Sequence, residues 1–178
     1  MTPHNNWIEK SVPNDLIIAK ELIYDRHKLE CTIPLSEPES QDYNAFRFTL
    51  NSIKICYRTA KITPTKTGQF VTLWKRNKDK IIEPFDSDDP IDAVIVSVRK
   101  ENDLGQFIFP KHILLKEGVF STSNKEGKRA IRVYPPWDET TSKQAQKTQQ
   151  WQLKYFFWIT AEKSHLITDF LHNTIEKT

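Results

Sequence analysis

Apolar and polar residues alternate through the segment from Phe46 to Tyr57, and this pattern constrains the fold more than any other feature of the sequence. The apolar members are Phe46, Phe48 and Leu50 before the dipeptide Asn51-Ser52, and Ile53, Ile55 and Tyr57 after it. Side chains of a β-strand point alternately to the two faces of a sheet, so each run predicts a strand with one apolar face. Asn and Ser between two such runs are typical of a tight turn. The segment therefore predicts a β-hairpin.

Helices and further strands are predicted on both sides of this hairpin. Pro13-Asn14-Asp15 is a typical helix start, and apolar residues follow it at helical spacing over residues 13–28. The further predicted strands are Gln69–Trp74, Ile91–Val98, Phe107–Phe109 and, as the last, Arg129–Tyr134, with Leu104-Gly105 in the turn before Phe107. The further predicted helices are His112–Lys116, Lys143–Phe157 and Glu162–Ile175. This order of elements indicates the α/β class, in the form of a mixed α+β fold.

Length and composition predict one domain, spanning residues 1–178. The charged fraction of 28% and the mean hydropathy of −0.59 are typical of a protein in water. We find no run of about 20 apolar residues and no secretion signal, and we therefore expect a cytoplasmic protein with no membrane partner. Cys31 and Cys56 are expected to be reduced thiols, although the sequence leaves a disulfide open.

Positive charge is concentrated between residues 54 and 80. The basic residues of this run are Lys54, Arg58, Lys61, Lys66, Lys75, Arg76, Lys78 and Lys80, against the single acid Asp79. Tyr57, Phe70 and Trp74 are interleaved with them. Basic side chains neutralise phosphates and aromatic faces stack on bases, so the run predicts a nucleic-acid contact. The alternative is a solubilising surface in which Tyr57 and Trp74 belong to the core.

Two later segments carry a similar pattern. Between residues 127 and 138, Lys128, Arg129 and Arg132 are placed to hold an anion, and Tyr134 and Trp137 to stack on bases. The alternative is a basic strand that ends at a proline turn, with Trp137 closing the core. In the third segment, residues 143–154, one helical face carries Gln144, Lys147, Gln150 and Trp151. That helix either lines a groove or is merely solvated, and the sequence does not decide.

Acidic residues cluster at Glu83, Asp86, Asp88, Asp89 and Asp92. Such carboxylates can hold Mg²⁺, but Asp-Ser-Asp-Asp-Pro is also common turn chemistry, which we favour. The five histidines are scattered and lack ligand spacing with either cysteine, so no zinc site is expected. We find no phosphate-binding P-loop, no dinucleotide fingerprint and no nucleophile elbow, and expect no cofactor.

Several long strings closely resemble the MepB-like family, bacterial proteins encoded in some species beside a multidrug efflux pump and its repressor. The strings are residues 58–76, from Arg-Thr-Ala-Lys to Leu-Trp-Lys-Arg, 105–111, Gly-Gln-Phe-Ile-Phe-Pro-Lys, 127–129, Gly-Lys-Arg, and 132–137, Arg-Val-Tyr-Pro-Pro-Trp. The resemblance covers roughly Tyr43 to Phe156. It implies a PD-(D/E)xK restriction-endonuclease-like fold, a mixed sheet flanked by helices, and association with nucleic acid.

The catalytic pattern of that fold is incomplete in this sequence. It requires an Asp on one strand and an acid-x-Lys on the next, with Mg²⁺ between the carboxylates. The matching positions hold Asp92, Phe109 and Lys111, and phenylalanine cannot bind a hard cation. We therefore expect a vestigial site, no bound metal and no enzymatic activity. A displaced acid from Asp86, Asp89 or Glu21 is left open.

The sequence thus predicts a nucleic-acid-binding accessory factor in bacterial drug response, with single-stranded DNA or RNA favoured over duplex. The predicted phosphate contacts are Lys61, Lys66, Lys75, Arg76, Lys111, Arg129 and Arg132, and the predicted stacking residues are Trp74 and Trp137. One alternative is a divergent Mg²⁺-dependent nuclease. Another is an accessory protein that binds a protein or a small molecule.

Overall fold

The protein combines short helices with strands, and this computed structural model describes residues 7–8 and 10–175. The strands are β1 (Leu35–Ser36), β2 (Phe46–Leu50), β3 (Ile53–Thr59), β4 (Lys61–Ile62), β5 (Gln69–Thr72), β6 (Trp74–Arg76), β7 (Ile82–Pro84), β8 (Ala93–Lys100), β9 (Asp103–Pro110), β10 (Ala130–Val133) and β11 (Phe156–Trp158). The helices are α1 (Asn14–Ala19), α2 (Lys111–Lys116), α3 (Lys143–Gln152) and α4 (Ser164–Phe170). Helices α1 and α4 each continue into a π-helical turn, Lys20–Tyr24 and Leu171–Ile175.

A six-stranded sheet in the order β1-β2-β3-β8-β9-β11 forms the centre of the fold. Strands β3 and β8 are parallel, and the other neighbours are antiparallel. The predicted hairpin is confirmed, since Phe46 pairs with Tyr57 and Leu50 with Ile53. Both turn residues have positive φ, 48° at Asn51 and 66° at Ser52, as the favoured two-residue hairpin turn requires.

Each face of this sheet is covered by a separate hydrophobic core. One core packs against α1 and α4 and contains Ile55 and Tyr57 of β3, whereas the other contains Cys56 from the same strand. Successive side chains of a strand point to opposite faces of the sheet. Side chains on both faces of a central strand must therefore be apolar or have polar partners. The predicted class, a mixed α+β fold in which helices flank a mixed sheet, is confirmed.

The second core is covered by a three-stranded sheet in the order β10-β5-β4, and β6 and β7 form a separate hairpin. The single predicted strand Gln69–Trp74 is wrong in this respect, because it is divided at Leu73. The Leu73 N–H still donates to the Arg129 carbonyl at 2.8 Å, in register with the pairing of β5 and β10, and the chain then pairs with β7 as β6. One extended segment therefore serves two sheets.

Two other predicted elements are corrected by the structure. Leu104 and Gly105 lie inside β9 and not in the turn before it, which Glu101 and Asn102 form. The predicted helix over 143–157 ends at Gln152, and its last residues contribute to β11, so β10 is not the last strand. Strand β11 pairs with β9, where the Phe156 ring fills the space beside Gly105 that a Cβ would need. This close contact with a distant strand outweighs the local helical pattern.

Both cysteines are free thiols in the part of the chain described. Burial raises the pKa of Cys31 to about 12, so this thiol is un-ionised at neutral pH. Within residues 7–8 and 10–175, no helix has both the length and the apolar character to cross a bilayer.

Candidate nucleic-acid interface

The outer face of the three-stranded sheet carries basic and aromatic side chains side by side. Arg132 on β10 lies directly opposite Phe70 on β5, and Phe70 lies directly opposite Lys61 on β4. Residues directly opposite one another across a ladder point to the same face. The register therefore places two cations on either side of one aromatic ring.

The same face continues along the extended chain from β5 into β6. Phe70, Thr72, Trp74 and Arg76 follow at intervals of two, and alternation turns them to one side. The Arg76 guanidinium lies 5.3 Å from the centre of the Trp74 ring. Four predicted contacts therefore share one surface, namely Lys61, Trp74, Arg76 and Arg132.

Each cation on this surface lies against an aromatic ring. The Lys61 ammonium is 4.9 Å from the centre of the Tyr43 ring, and the Arg132 guanidinium is 5.8 Å from that of Phe70. The Tyr43 and Phe70 rings meet edge to face, with 6.0 Å between their centres. We call this surface the basic–aromatic face and define it as Tyr43, Lys61, Phe70, Trp74, Arg76 and Arg132. Rings and guanidinium planes can stack on bases, and the charges can bind phosphates.

Hydrogen bonds hold the basic–aromatic face in place before any ligand arrives. Arg132 donates to the Thr63 hydroxyl at 2.8 Å. The Thr72 hydroxyl is 2.7 Å from that of Ser40, which ties the loop before Tyr43 to β5. Side chains already held in one geometry lose less conformational entropy on binding. The arrangement therefore favours binding by a largely preformed surface.

A cleft of about 380 Å³ lies beside this face, between β10 and α3. The residues that matter for its chemistry are Lys128, Ala130 and Arg132 on one side and Gln144, Lys147 and Trp151 on the other. Buried Gln152 fixes the helix to the edge of β10, because its side-chain amide donates to the Arg132 carbonyl and accepts from the Tyr134 N–H, both at 2.9 Å. The second and third basic segments of the sequence thus meet in one cleft.

Five predicted contacts lie outside the basic–aromatic face, namely Lys66, Lys75, Lys111, Arg129 and Trp137. Lys66 is exposed and lines a separate hollow together with Trp137. The half-buried Trp137 ring packs against Phe156 and Trp158, at 5.9 and 5.5 Å between ring centres. Arg129 forms a salt bridge with Glu126 at 2.8 Å. A nucleic-acid role for these residues stays a prediction.

Lys75 points away from the basic–aromatic face and into the acidic cluster. Its ammonium lies 2.8 Å from carboxylate oxygens of both Asp86 and Asp89, and 3.6 Å from Glu83. Partial burial acts to lower the pKa of Lys75, but hydrogen bonds to the two Asp carboxylates outweigh it and raise that pKa. Partial burial acts to raise the pKa of Asp86, but the bond from Lys75 and one from the Asp88 N–H lower it overall. The loop thus uses its acids to hold a lysine.

The three positions matched to the catalytic pattern lie at the adjoining ends of β8 and β9, where the Lys111 N–H donates to the Asp92 carbonyl at 2.9 Å, but their side chains have different partners. The Asp92 carboxylate accepts the Lys54 N–H at 2.8 Å. Phe109 is fully buried and stacks on Phe107, with 5.4 Å between ring centres. The Lys111 ammonium donates to the Asp89 carbonyl at 2.6 Å. Lys111 and Lys75 therefore converge on the loop that contains Asp89.

The remaining acid left open by the sequence lies on the other side of the central sheet. Glu21 belongs to the π-helical turn after α1, which packs on the opposite core from the acidic cluster. Among the described residues, no three His, Cys, Asp or Glu side chains are grouped so as to hold a metal ion.

A buried ion pair that sequence patterns did not indicate joins the two sheets. Arg58 on β3 has no exposed surface and donates from Nη1 to Glu37 and from Nε to the Thr72 carbonyl on β5. The second Glu37 oxygen accepts from Arg47 at 2.6 Å. Arg58 lies in a run of basic residues and Glu37 in a polar loop, so only the tertiary structure reveals the pair. It fixes β5, and with it the basic–aromatic face, against the central sheet.

Lys75→Met should cost about 1–2 kcal/mol of unfolding free energy at pH 7, since it removes partly exposed, charge-assisted hydrogen bonds. The lowered pKa of Asp86 means that its stabilising contribution is present above the ordinary carboxyl pKa of about 4 and is lost as the pH falls through the folded value. The cost should therefore shrink towards pH 3. Urea unfolding at pH 7, 5 and 3 measures it, with the exposed Lys78→Met as control. An equal cost at every pH would contradict this assignment.

The chain is similar in sequence or in structure to known proteins. The profile of the MepB-like family matches residues 37–158. The crystal structure of MepB is similar, with a TM-score of 0.72 and 33% identity over 82% of this chain and 97% of that one. A bacterial homing endonuclease has a TM-score of 0.45 and 11% identity over 94% of this chain and 99% of its own. None of the curated proteins matches significantly.

Proposed function

We propose that the chain, which belongs to the MepB-like family, binds single-stranded nucleic acid on its basic–aromatic face without cutting it. The observation that carries the proposal is the row of three cation–aromatic pairs, Arg76 with Trp74, Lys61 with Tyr43 and Arg132 with Phe70. Cations supply the affinity for phosphates, and the flat groups between them supply stacking surfaces.

The shape of the surface favours single strands. The half-buried Phe70 ring lies on a β-sheet, and the half-buried Tyr43 ring packs against it from the helical turn Gln41–Tyr43, so neither projects as a helix or a ribbon would. Paired bases in a duplex hide their faces, whereas a single strand can turn its bases onto such a surface. DNA and RNA share this chemistry, so both belong to the proposal.

Binding without cleavage is supported by how the acids are used. Asp86 and Asp89 both face the Lys75 ammonium at 2.8 Å, and the Asp92 carboxylate accepts a backbone N–H. A metal-dependent nuclease needs carboxylates that are free to bind the metal. The proposal places the protein in the cytoplasm, as an accessory factor in bacterial drug response.

Titration of a labelled oligonucleotide at several salt concentrations tests the proposal. Each phosphate contact on a single strand adds about −0.7 to the slope of log affinity against log salt concentration. Arg76 is already paired with Glu39 at 3.2 Å, so the main contribution should come from Lys61 and Arg132, with a slope of about −1.4. A single strand should bind at least tenfold more tightly than the matched duplex. Affinity that does not change with salt, or a preference for duplex, would contradict the proposal.

The same oligonucleotides, incubated with the protein and Mg²⁺ or Mn²⁺, should remain intact. Cleavage that disappears in Asp89→Asn would instead show that the acidic loop binds a metal, and would overturn the non-catalytic part of the proposal alone.

A further inference from the structure

The cleft between β10 and α3 has a different composition from the basic–aromatic face beside it. It is concave, about 380 Å³ in volume, and therefore within the range of roughly 300–1,000 Å³ that is usual for small-ligand sites. A nucleic-acid strand can lie along the basic–aromatic face. The cleft, in contrast, can enclose a single nucleotide of that strand.

Two lysines give the cleft its charge. Lys128 precedes β10 and Lys147 lies on α3, and both are exposed. Neither forms a salt bridge with any acid among residues 7–8 and 10–175. The single acid in the lining is Glu117. The cleft is thus positively charged overall and suits one phosphate group.

A flat apolar surface lies in the same cleft. Trp151 is half-buried, and its ring packs against the Phe109 ring with 5.3 Å between the centres. That contact holds the indole in place, and Trp151 also lines the cleft. A base stacked on aromatic carbon gains about 1–3 kcal/mol. The Gln144 amide and the Thr148 hydroxyl, which also line the cleft, can bind the polar edge of a base.

The walls of the cleft are fixed in relation to each other. Gln152 bonds α3 to β10 at two backbone atoms, and Gln149 donates to the carbonyls of Pro135 and Asp138 at 3.0 and 2.9 Å. Both glutamines belong to α3, so the helix cannot slide along the strand without breaking these bonds. A fixed width favours a ligand of one size.

The cleft is continuous with the basic–aromatic face through Arg132. This residue lines the cleft, yet its guanidinium is turned over Phe70 on the face. Ala130 also lines the cleft, and it points to the same side of β10 as Arg132 because the two residues are two positions apart. A nucleic-acid strand lying on the face therefore meets the cleft at Arg132.

We infer that this cleft takes a single nucleotide, the terminal or turned-out unit of the strand bound on the basic–aromatic face, with its phosphate at Lys128 and Lys147 and its base on Trp151. The inference rests on the proposed function. It assigns to α3 the recognition of a single base and its phosphate, a role that the basic–aromatic face does not have.

Adenosine 5′-monophosphate, adenosine and inorganic phosphate, titrated separately by calorimetry into the full chain, test the inference. The monophosphate should bind saturably and at least tenfold more tightly than either fragment, because charge and stacking act together. Lys128→Ala/Lys147→Ala should weaken it at least tenfold. The matched control Lys28→Ala/Lys154→Ala removes two exposed lysines that do not line the cleft, and it should bind as the unchanged protein does.

An oligonucleotide titration run in parallel separates the two proposals. Oligonucleotide binding without mononucleotide binding would overturn the cleft inference and leave the proposed function intact. Mononucleotide binding without oligonucleotide binding would overturn the proposed function and leave the cleft as a site for free nucleotides only. Phosphate that binds as tightly as the monophosphate would reduce the cleft to an anion site and overturn its recognition of a base.

Discussion

Glu37→Ala should lower the free energy of unfolding by about 3–5 kcal/mol, because it leaves the buried guanidinium of Arg58 without a counter-charge. Arg58 is 0% exposed, and its Nη2 nitrogen already lacks a hydrogen-bond partner among the described residues. Glu37 is the acid that pairs with it. Urea unfolding at pH 7, followed by tryptophan fluorescence, measures the loss.

Two comparisons show whether the loss has this cause. Glu39→Ala breaks the exposed pair with Arg76 and should cost no more than about 1 kcal/mol. Glu37→Leu combined with Arg58→Met removes both buried charges and should recover much of the stability lost in Glu37→Ala, since apolar replacements of a buried pair are often neutral. A double variant as unstable as Glu37→Ala would mean that the charge of Arg58 is not the reason.

Lys61→Glu/Arg132→Glu should weaken binding of a single-stranded oligonucleotide by about 100-fold or more. Each substitution removes a charge-assisted contact worth about 1.5–3 kcal/mol and adds a repulsive charge, and about 1.4 kcal/mol corresponds to a factor of ten. The two residues lie on either side of Phe70, so both should touch the same stretch of strand. The salt slope should also fall by about 1.4, which corresponds to two phosphate contacts.

Lys10→Glu/Lys28→Glu is the matched control, since it changes the net charge by the same amount. Both lysines are exposed and belong to the N-terminal helical region, which packs on the other face of the central sheet. This control should bind within about threefold of the unchanged protein. Equal losses in the two double variants would show that only net charge matters. Circular dichroism of both variants establishes that they fold.

Local patterns predicted most of the elements that are stabilised by their own residues. The hairpin of β2 and β3, helix α2 and the helical pattern of α4 were all readable from periodicity and turn residues. Strand β11 was not, because Phe156 follows a helical run directly and becomes a strand only by pairing with Phe107. A contact between residues so far apart in sequence leaves no local signal.

In the candidate interface, too, some residues were predicted from the sequence and one was not. Lys61, Trp74, Arg76 and Arg132 were identified by residue type, and the register brings them to one face. Tyr43 was missed because it follows a polar, acidic loop, where an aromatic residue gives no periodic signal.

The sequence by itself determined that the chain makes a mixed α+β fold with an excess of basic and aromatic residues in a few segments, since period and composition are local properties. Only the tertiary structure decided which charges remain free. Lys75 and Arg58 carry the same sign as Lys61 and Arg132 in the sequence, yet the fold places carboxylates beside the first two. Distant acids decide that outcome, because a cation held at about 3 Å by a carboxylate has less to offer a phosphate.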